Sequence, residues 1–264
     1  MADAVIPQFD DGAAYERLMG RWSRLAGEIF LDWMELSSGL RWLDVGCGNG
    51  AFTELIVERS APVAVHAIDP SEGQLAFARQ RTNANAIEYR QGSAEALPFD
   101  DHTFDVATMA LAINFVPEPS VGVSEMARVV KSGGCVAAYI WDLPGGGFTM
   151  EPLRQALSEM GVQTPLPRAE VTQMESLRNL WQEAGLDDVS LRRIDVNPTY
   201  VNFDDFWDVH TTNAGTNSVS KAVASLSPAQ IKQLKERLRA KMPGEPDGRI
   251  SYSAHANGVK GKVR

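Results

Sequence analysis

Leu43-Asp44-Val45-Gly46-Cys47-Gly48-Asn49-Gly50 closes a short apolar run, RWLDVGC over 41–47, and leads directly into a helix-forming segment near 51–59. A buried strand that turns through glycines into a helix reads as the start of a βαβ unit. Glycine has no Cβ, so the backbone can turn sharply there and a ligand can approach it closely. The free N–H groups at the start of the next helix suit an anionic or polar group. Gly46, Gly48 and Ala51 also satisfy the dinucleotide pattern G-x-G-x-x-G/A. The stretch alone therefore does not choose among nucleoside ligands.

Working outward, VAVHAID over 63–69 is a second apolar strand, ending in Asp69, 23 positions after Gly46. A carboxylate at that point can accept from both hydroxyls of a ribose. Pro70-Ser71 then opens a helix to about Arg81. Ile87 to Arg90, the run from Phe104, and Cys135 to Trp141 read as further strands. A helix over 116–130 and the turn Lys131-Ser132-Gly133-Gly134 separate the last two. Strands that are almost wholly apolar, alternating with helices, mean a parallel sheet covered on both faces. Upstream, Leu18, Trp22, Leu25, Ile29 and Trp33 keep one stripe along a helix over 13–36.

Downstream of Trp141 the character changes. A Pro/Gly loop, DLPGGG over 142–147, precedes a short helix within 150–168. Thr172 to Glu175 and Ser227 to Gln230 both read as capping boxes that open helices. Val189–Val196 reads as a sixth strand and Ile250–Val259 as a final one. The whole chain, 1–264, is expected to form a single domain. Its ligand-binding core covers about 40–142, with 10–36, 142–168 and 198–245 on the acceptor side.

The 264 residues are 44% hydrophobic and 22% charged, with a formal net charge of -9. That acidic balance argues against a nucleic-acid partner, which needs clustered Lys and Arg. No apolar run approaches the ~20 residues that cross a bilayer. Two cysteines, Cys47 and Cys135, form neither a disulfide framework nor a zinc site. No metal is expected, and a reducing cytoplasm is the expected compartment.

The segment Trp42 to Thr53, WLDVGCGNGAFT, resembles the first motif of class I S-adenosylmethionine-dependent methyltransferases. Gly92-Ser93-Ala94-Glu95-Ala96-Leu97-Pro98-Phe99 resembles the family's G-D-A-E-x-L-P-F segment. Phe104-Asp105-Val106 through Val116-Pro117 resembles its fourth strand and exit loop, and Lys131 to Gly134 its K-P-G-G turn. These motifs fall in order over about 40–142. The small-molecule branch with ubiquinone and menaquinone methyltransferases is the most similar, and Gly20-Arg21-Trp22-Ser23-Arg24 resembles a common N-terminal segment of that group.

The resemblance implies a Rossmann-like, seven-stranded, mostly parallel α/β sheet with helices on both faces and the last strand antiparallel. It implies S-adenosyl-L-methionine as cofactor and a small-molecule methyl acceptor as partner. Gly46 and Gly48, with the adjacent Cys47, would line the methionine part of the cofactor, and Asp44 would sit near its ammonium. Asp69, followed by Pro70, would hold the ribose. Ala94 and Glu95 would flank the adenine. Met109 and Ala110 would lie beside the methyl group. Ser93 stands where the family has Asp, and Asn114-Phe115 where paired histidines are common.

Tyr15 and Arg21 are placed to close over the cofactor from the N-terminal helix. The insertion at 198–220, with Phe203, Phe206, Trp207 and His210, is aromatic and sits where a lid would be. His210 is the candidate base. An NAD(P)-linked oxidoreductase and a non-catalytic protein that binds S-adenosylmethionine are the competing readings.

Overall fold

In the computed structural model the described residues are 12–81, 83–211, 218–242 and 244–264, with side chains described from residue 20 onward except at 21. The chain begins with α1 (Gly12–Met34) and then alternates: β1 (Arg41–Val45), α2 (Ala51–Ser60), β2 (Ala64–Asp69), α3 (Glu72–Ala78), β3 (Ile87–Gln91), β4 (Phe104–Ala110), α4 (Pro119–Val129) and β5 (Val130–Trp141). The second half carries α5 (Glu151–Glu159), α6 (Met174–Glu183) and β6 (Asp187–Val196). It ends with β7 (Thr199–Tyr200), α7 (Phe203–Thr211), α8 (Ser218–Ala224), α9 (Pro228–Lys241), β8 (Ile250–Ser251) and β9 (Ala254–Lys262).

Seven strands form the sheet in the order β3-β2-β1-β4-β5-β9-β6, and β9 runs antiparallel to both neighbours. The expected architecture is therefore present. Leu43, Val45, Ala67, Ile68, Val106 and Ala107 are fully buried, as strands covered on both faces require. The strand order reverses at β1, which has β2 on one side and β4 on the other. Open α/β sheets bind ligands outside the carboxyl ends of their strands at such a point.

Three local expectations need correction. The last strand is two pieces: Ile250–Ser251 pairs with β7, and the chain then bends before β9 enters the main sheet. Tyr252 at the bend turns inward, its Oη donating to the carbonyl of Thr149. Lys131 to Gly134 is not a free turn but a bulge inside β5, between the pairs Phe104–Val130 and Val106–Cys135. Gly133 has φ +78, and a Cβ on Gly134 would lie 2.6 Å from the Asp105 carbonyl oxygen. The Thr172 capping box does not form. Its Oγ1 donates to the Ala169 carbonyl and accepts from Leu143 N–H, so tertiary contacts claim the hydroxyl. The Ser227 box forms at the exposed end of α9.

Candidate active site

The first turn after β1 is shaped by glycine. Gly46, Gly48 and Gly50 have φ values of +71, +52 and +79. The N–H groups of Gly46 and Cys47 both bond to the Ile68 carbonyl, at 2.8 and 3.0 Å, which ties the turn to β2. A Cβ on Gly46 would lie 2.7 Å from that of Ala112. A Cβ on Gly48 would meet no protein atom within 4 Å, so that position opens onto ligand space.

Asp69 ends β2 beside this corner. One carboxylate oxygen accepts from Gly48 N–H at 2.8 Å and the other from Ser71 N–H at 2.9 Å. Ser71 itself caps α3, accepting from Gln74 N–H. Asp69 is thus not the helix cap but a brace between two loops. Each carboxylate oxygen has a second lone pair to offer. Burial raises the Asp69 pKa, and the two backbone N–H groups hold it down.

Between these elements lies a cleft of about 500 Å³. Gly46, Cys47, Gly48, Asp69, Pro70, Ser93, Ala94, Met109 and Ala110 all line it, so most of the expected binding residues converge on one space. Among the described residues its charged lining residues are Asp69 and Glu72, and no Lys, Arg or His lines it. That balance favours a cationic ligand over an anionic one.

Asp44 does not line the cleft; it lies behind the glycine corner, fully buried. Thr53 Oγ1 donates to one oxygen at 2.6 Å, and the other has no partner. Desolvation pushes the Asp44 carboxyl up to about 7, with Asp69 adding to the rise against the Thr53 hydrogen bond. The unfolded value is near 3.9. The folded protein therefore holds the extra proton between about pH 4 and 7, and stability falls as pH rises through that window. Asp44→Asn removes this penalty. In the ligand-free protein it should raise Tm at pH 8 by roughly 5 °C or more and leave it nearly unchanged at pH 4. An equal change at both pH values in thermal unfolding would refute the assignment.

Glu95 also points elsewhere. Its carboxylate accepts from Glu118 N–H at 3.0 Å and from Ser93 Oγ at 3.3 Å, which joins the loop after β3 to the start of α4. Tyr15 and Arg21 lie outside the residues whose side chains are described.

His210 is placed away from the cleft, contrary to its expected role as a base beside the acceptor. It is buried among Tyr200, Tyr252 and Phe206, with Nε2 2.8 Å from Tyr200 Oη. Burial alone pushes its pKa down to about 3, so the ring stays neutral. The other insertion aromatics also pack inward instead of forming a lid. Lys235 and Arg239 of α9 cover Trp207 and Phe203 through cation–π contacts at 4.5 and 4.2 Å.

Several lining residues were not expected from the sequence: Ser23, Phe52, Gln74, Leu111 and Tyr139. Gln74 carried a readable signal. It sits on the same helical face as Leu75 and Ala78, a polar residue in a buried stripe, and its Oε1 has no partner. The others come from separate elements, and only packing brings them together.

Residues 43–138 match the family model described as a methyltransferase domain. A 2-methyl-6-phytyl-1,4-hydroquinone methyltransferase of Oryza sativa subsp. japonica is 33% identical over 176 residues, 66% of this chain and 50% of the relative. A ubiquinone/menaquinone biosynthesis C-methyltransferase of Geobacter sulfurreducens is 40% identical over 119 residues, 43% of this chain and 45% of the relative. The chain spans about half the length of the curated relatives it matches. Among solved structures, phosphoethanolamine N-methyltransferase 2 of Haemonchus contortus, in complex with S-adenosyl-L-methionine, has a TM-score of 0.57 at 17% identity, covering 95% of this chain and 56% of that one. At that identity the likeness is one of fold. No described helix is long and apolar enough to cross a membrane.

Proposed function

We propose, from the match of residues 43–138 to the methyltransferase-domain model, that this chain is a class I methyltransferase that binds S-adenosyl-L-methionine in the cleft and methylates a small molecule. One observation carries the reading. The glycine corner, the Asp69 brace and the open position at Gly48 meet at the sheet's reversal point, in an acid-lined cleft that a sulfonium cation suits. The names of the relatives, a hydroquinone methyltransferase and a C-methyltransferase of ubiquinone/menaquinone biosynthesis, support a small-molecule acceptor.

In this reading the backbone of Gly46 to Gly48 holds the amino-acid part of the cofactor, with the unpartnered oxygen of Asp44 behind it. Asp69 takes the ribose hydroxyls. Pro70, Ser93 and Ala94 border the adenine, and Met109 and Ala110 lie beside the transferable methyl. The cofactor supplies an electrophilic methyl group. The protein aligns the acceptor with it, and positioning of this kind contributes up to ~7–11 kcal/mol. The apolar wall excludes water, which strengthens electrostatic interactions inside the cleft. No lining histidine or lysine serves as base among the described residues, so the acceptor's proton leaves by another route. Both cysteines are free and buried, in keeping with a reducing compartment such as the cytoplasm.

Thermal shift is the direct test. S-adenosylhomocysteine at a hundred times its Kd should stabilise by about 2.7 kcal/mol, raising Tm by roughly 5–10 °C. NADH should give no shift. A shift with NADH alone would install the oxidoreductase in its place. Ligand binding without transfer of labelled methyl to any of a panel of hydroquinones, phenols and amines would favour a non-catalytic role.

A further inference from the structure

The end of the cleft on the β5 side contains one buried polar group that the functional reading leaves unused. Helix α1 reaches this end because residue 27 is glycine. A Cβ there would lie 2.9 Å from Leu55 Cδ2, 3.0 Å from Phe52 Cδ2 and 3.2 Å from Tyr139 Oη. The missing side chain lets α1 lie close against α2. One turn earlier on the same face is Ser23, which lines the cleft with Phe52, Leu111 and Tyr139.

Ser23 is 7% exposed and its hydroxyl has no hydrogen-bond partner. A serine inside a helix commonly returns its proton to a carbonyl one turn back; this one does not. Tyr139 Oη instead donates to the Ser23 carbonyl at 3.3 Å, fixing this turn of the helix over the strand end. A buried polar atom left alone is unfavourable, so a ligand atom that satisfies it gains affinity. The surroundings are apolar, and no basic side chain among the described residues could neutralise an anion.

We infer that Ser23 is a specificity-determining residue: its Oγ anchors the methyl acceptor, a neutral apolar ring carrying a hydroxyl or carbonyl oxygen. The inference rests on the proposed methyltransferase reading and deepens it. In that reading the nucleoside end is held by Asp69 and by the loops that follow β2 and β3. Ser23 meets the acceptor from the far side, on a different element. It acts by orientation and takes no proton.

The test uses the full chain saturated with S-adenosylhomocysteine. Two probes of similar shape, 1-naphthol and 1-methylnaphthalene, are titrated by ligand-observed NMR. Wild type should bind the naphthol about five- to tenfold more tightly, the range of one net hydrogen bond. Ser23→Ala should bring the ratio close to one by weakening the naphthol, and Ser23→Thr should retain the preference. The S-adenosylhomocysteine titration shows whether each variant is folded, and the wild-type ratio needs no variant at all. No preference in wild type, binding of neither probe, or an unchanged ratio in Ser23→Ala overturns the inference. Failure of S-adenosylhomocysteine to bind would instead sink the functional reading beneath it.

Discussion

Asp69→Ala is expected to weaken S-adenosylhomocysteine binding about a hundredfold or more, while the Tm of the ligand-free protein moves little. The Asp69 carboxylate has two duties. It holds Gly48 N–H at 2.8 Å and Ser71 N–H at 2.9 Å, and in the proposed complex it accepts from two ribose hydroxyls. Hydrogen bonds to a charged group contribute about 1.5–3 kcal/mol each. Losing two therefore removes more than two decades of affinity. Slackening of the Gly48 corner adds to the loss. Without ligand the balance is different. Burial raises the pKa of this carboxyl, so its removal relieves a desolvation cost that offsets the two lost backbone bonds. Calorimetric titration checks the first half and thermal unfolding the second. Wild-type affinity in the variant would rule out the ribose assignment.

Trp181→Ala is expected to destabilise the protein by about 4 kcal/mol or more without altering the cleft. Trp181 of α6 is fully buried. Its Nε1 donates to the Val136 carbonyl at 2.9 Å. Gly261 makes the room: a Cβ there would lie 3.1 Å from Trp181 Cδ1. The truncation loses a large apolar group, opens a cavity and breaks a buried hydrogen bond, and Trp→Ala changes in cores typically cost 3–5 kcal/mol. For a chain of this size Tm should fall by roughly 10 °C or more. Trp181 is not among the cleft residues, so the folded variant should keep wild-type affinity for S-adenosylhomocysteine below its Tm. A small shift, or a change in affinity, would show that the indole is not the structural strut described here.

The parts of the site that were readable in the sequence share one property: they depend on a few neighbouring residues. Gly46, Gly48 and Gly50 all occupy positive φ, a local demand that glycine announces. Asp69 ends its strand because the apolar run stops there. The capping boxes show where local reading fails. Thr172 and Ser227 carry the same pattern, yet only Ser227, exposed and without a competing partner, closes its box. Thr172 is buried, and Leu143 N–H and the Ala169 carbonyl take its hydroxyl first. His210 failed for a related reason. Its sequence neighbours mark it as aromatic company, but nothing near it reveals that Tyr200 and Tyr252 close around it.

From the chain of residues alone came the alternating strands and helices, the glycine corner and the acid one strand away, because backbone conformation and apolar periodicity are set over short stretches. The tertiary structure decided which side chains face one another across the cleft. Ser23, Phe52 and Tyr139 stand on α1, α2 and β5, and Gly27 lets the helices lie close where they meet. Packing is a relation between distant segments, and it has no counterpart in the order of neighbouring residues.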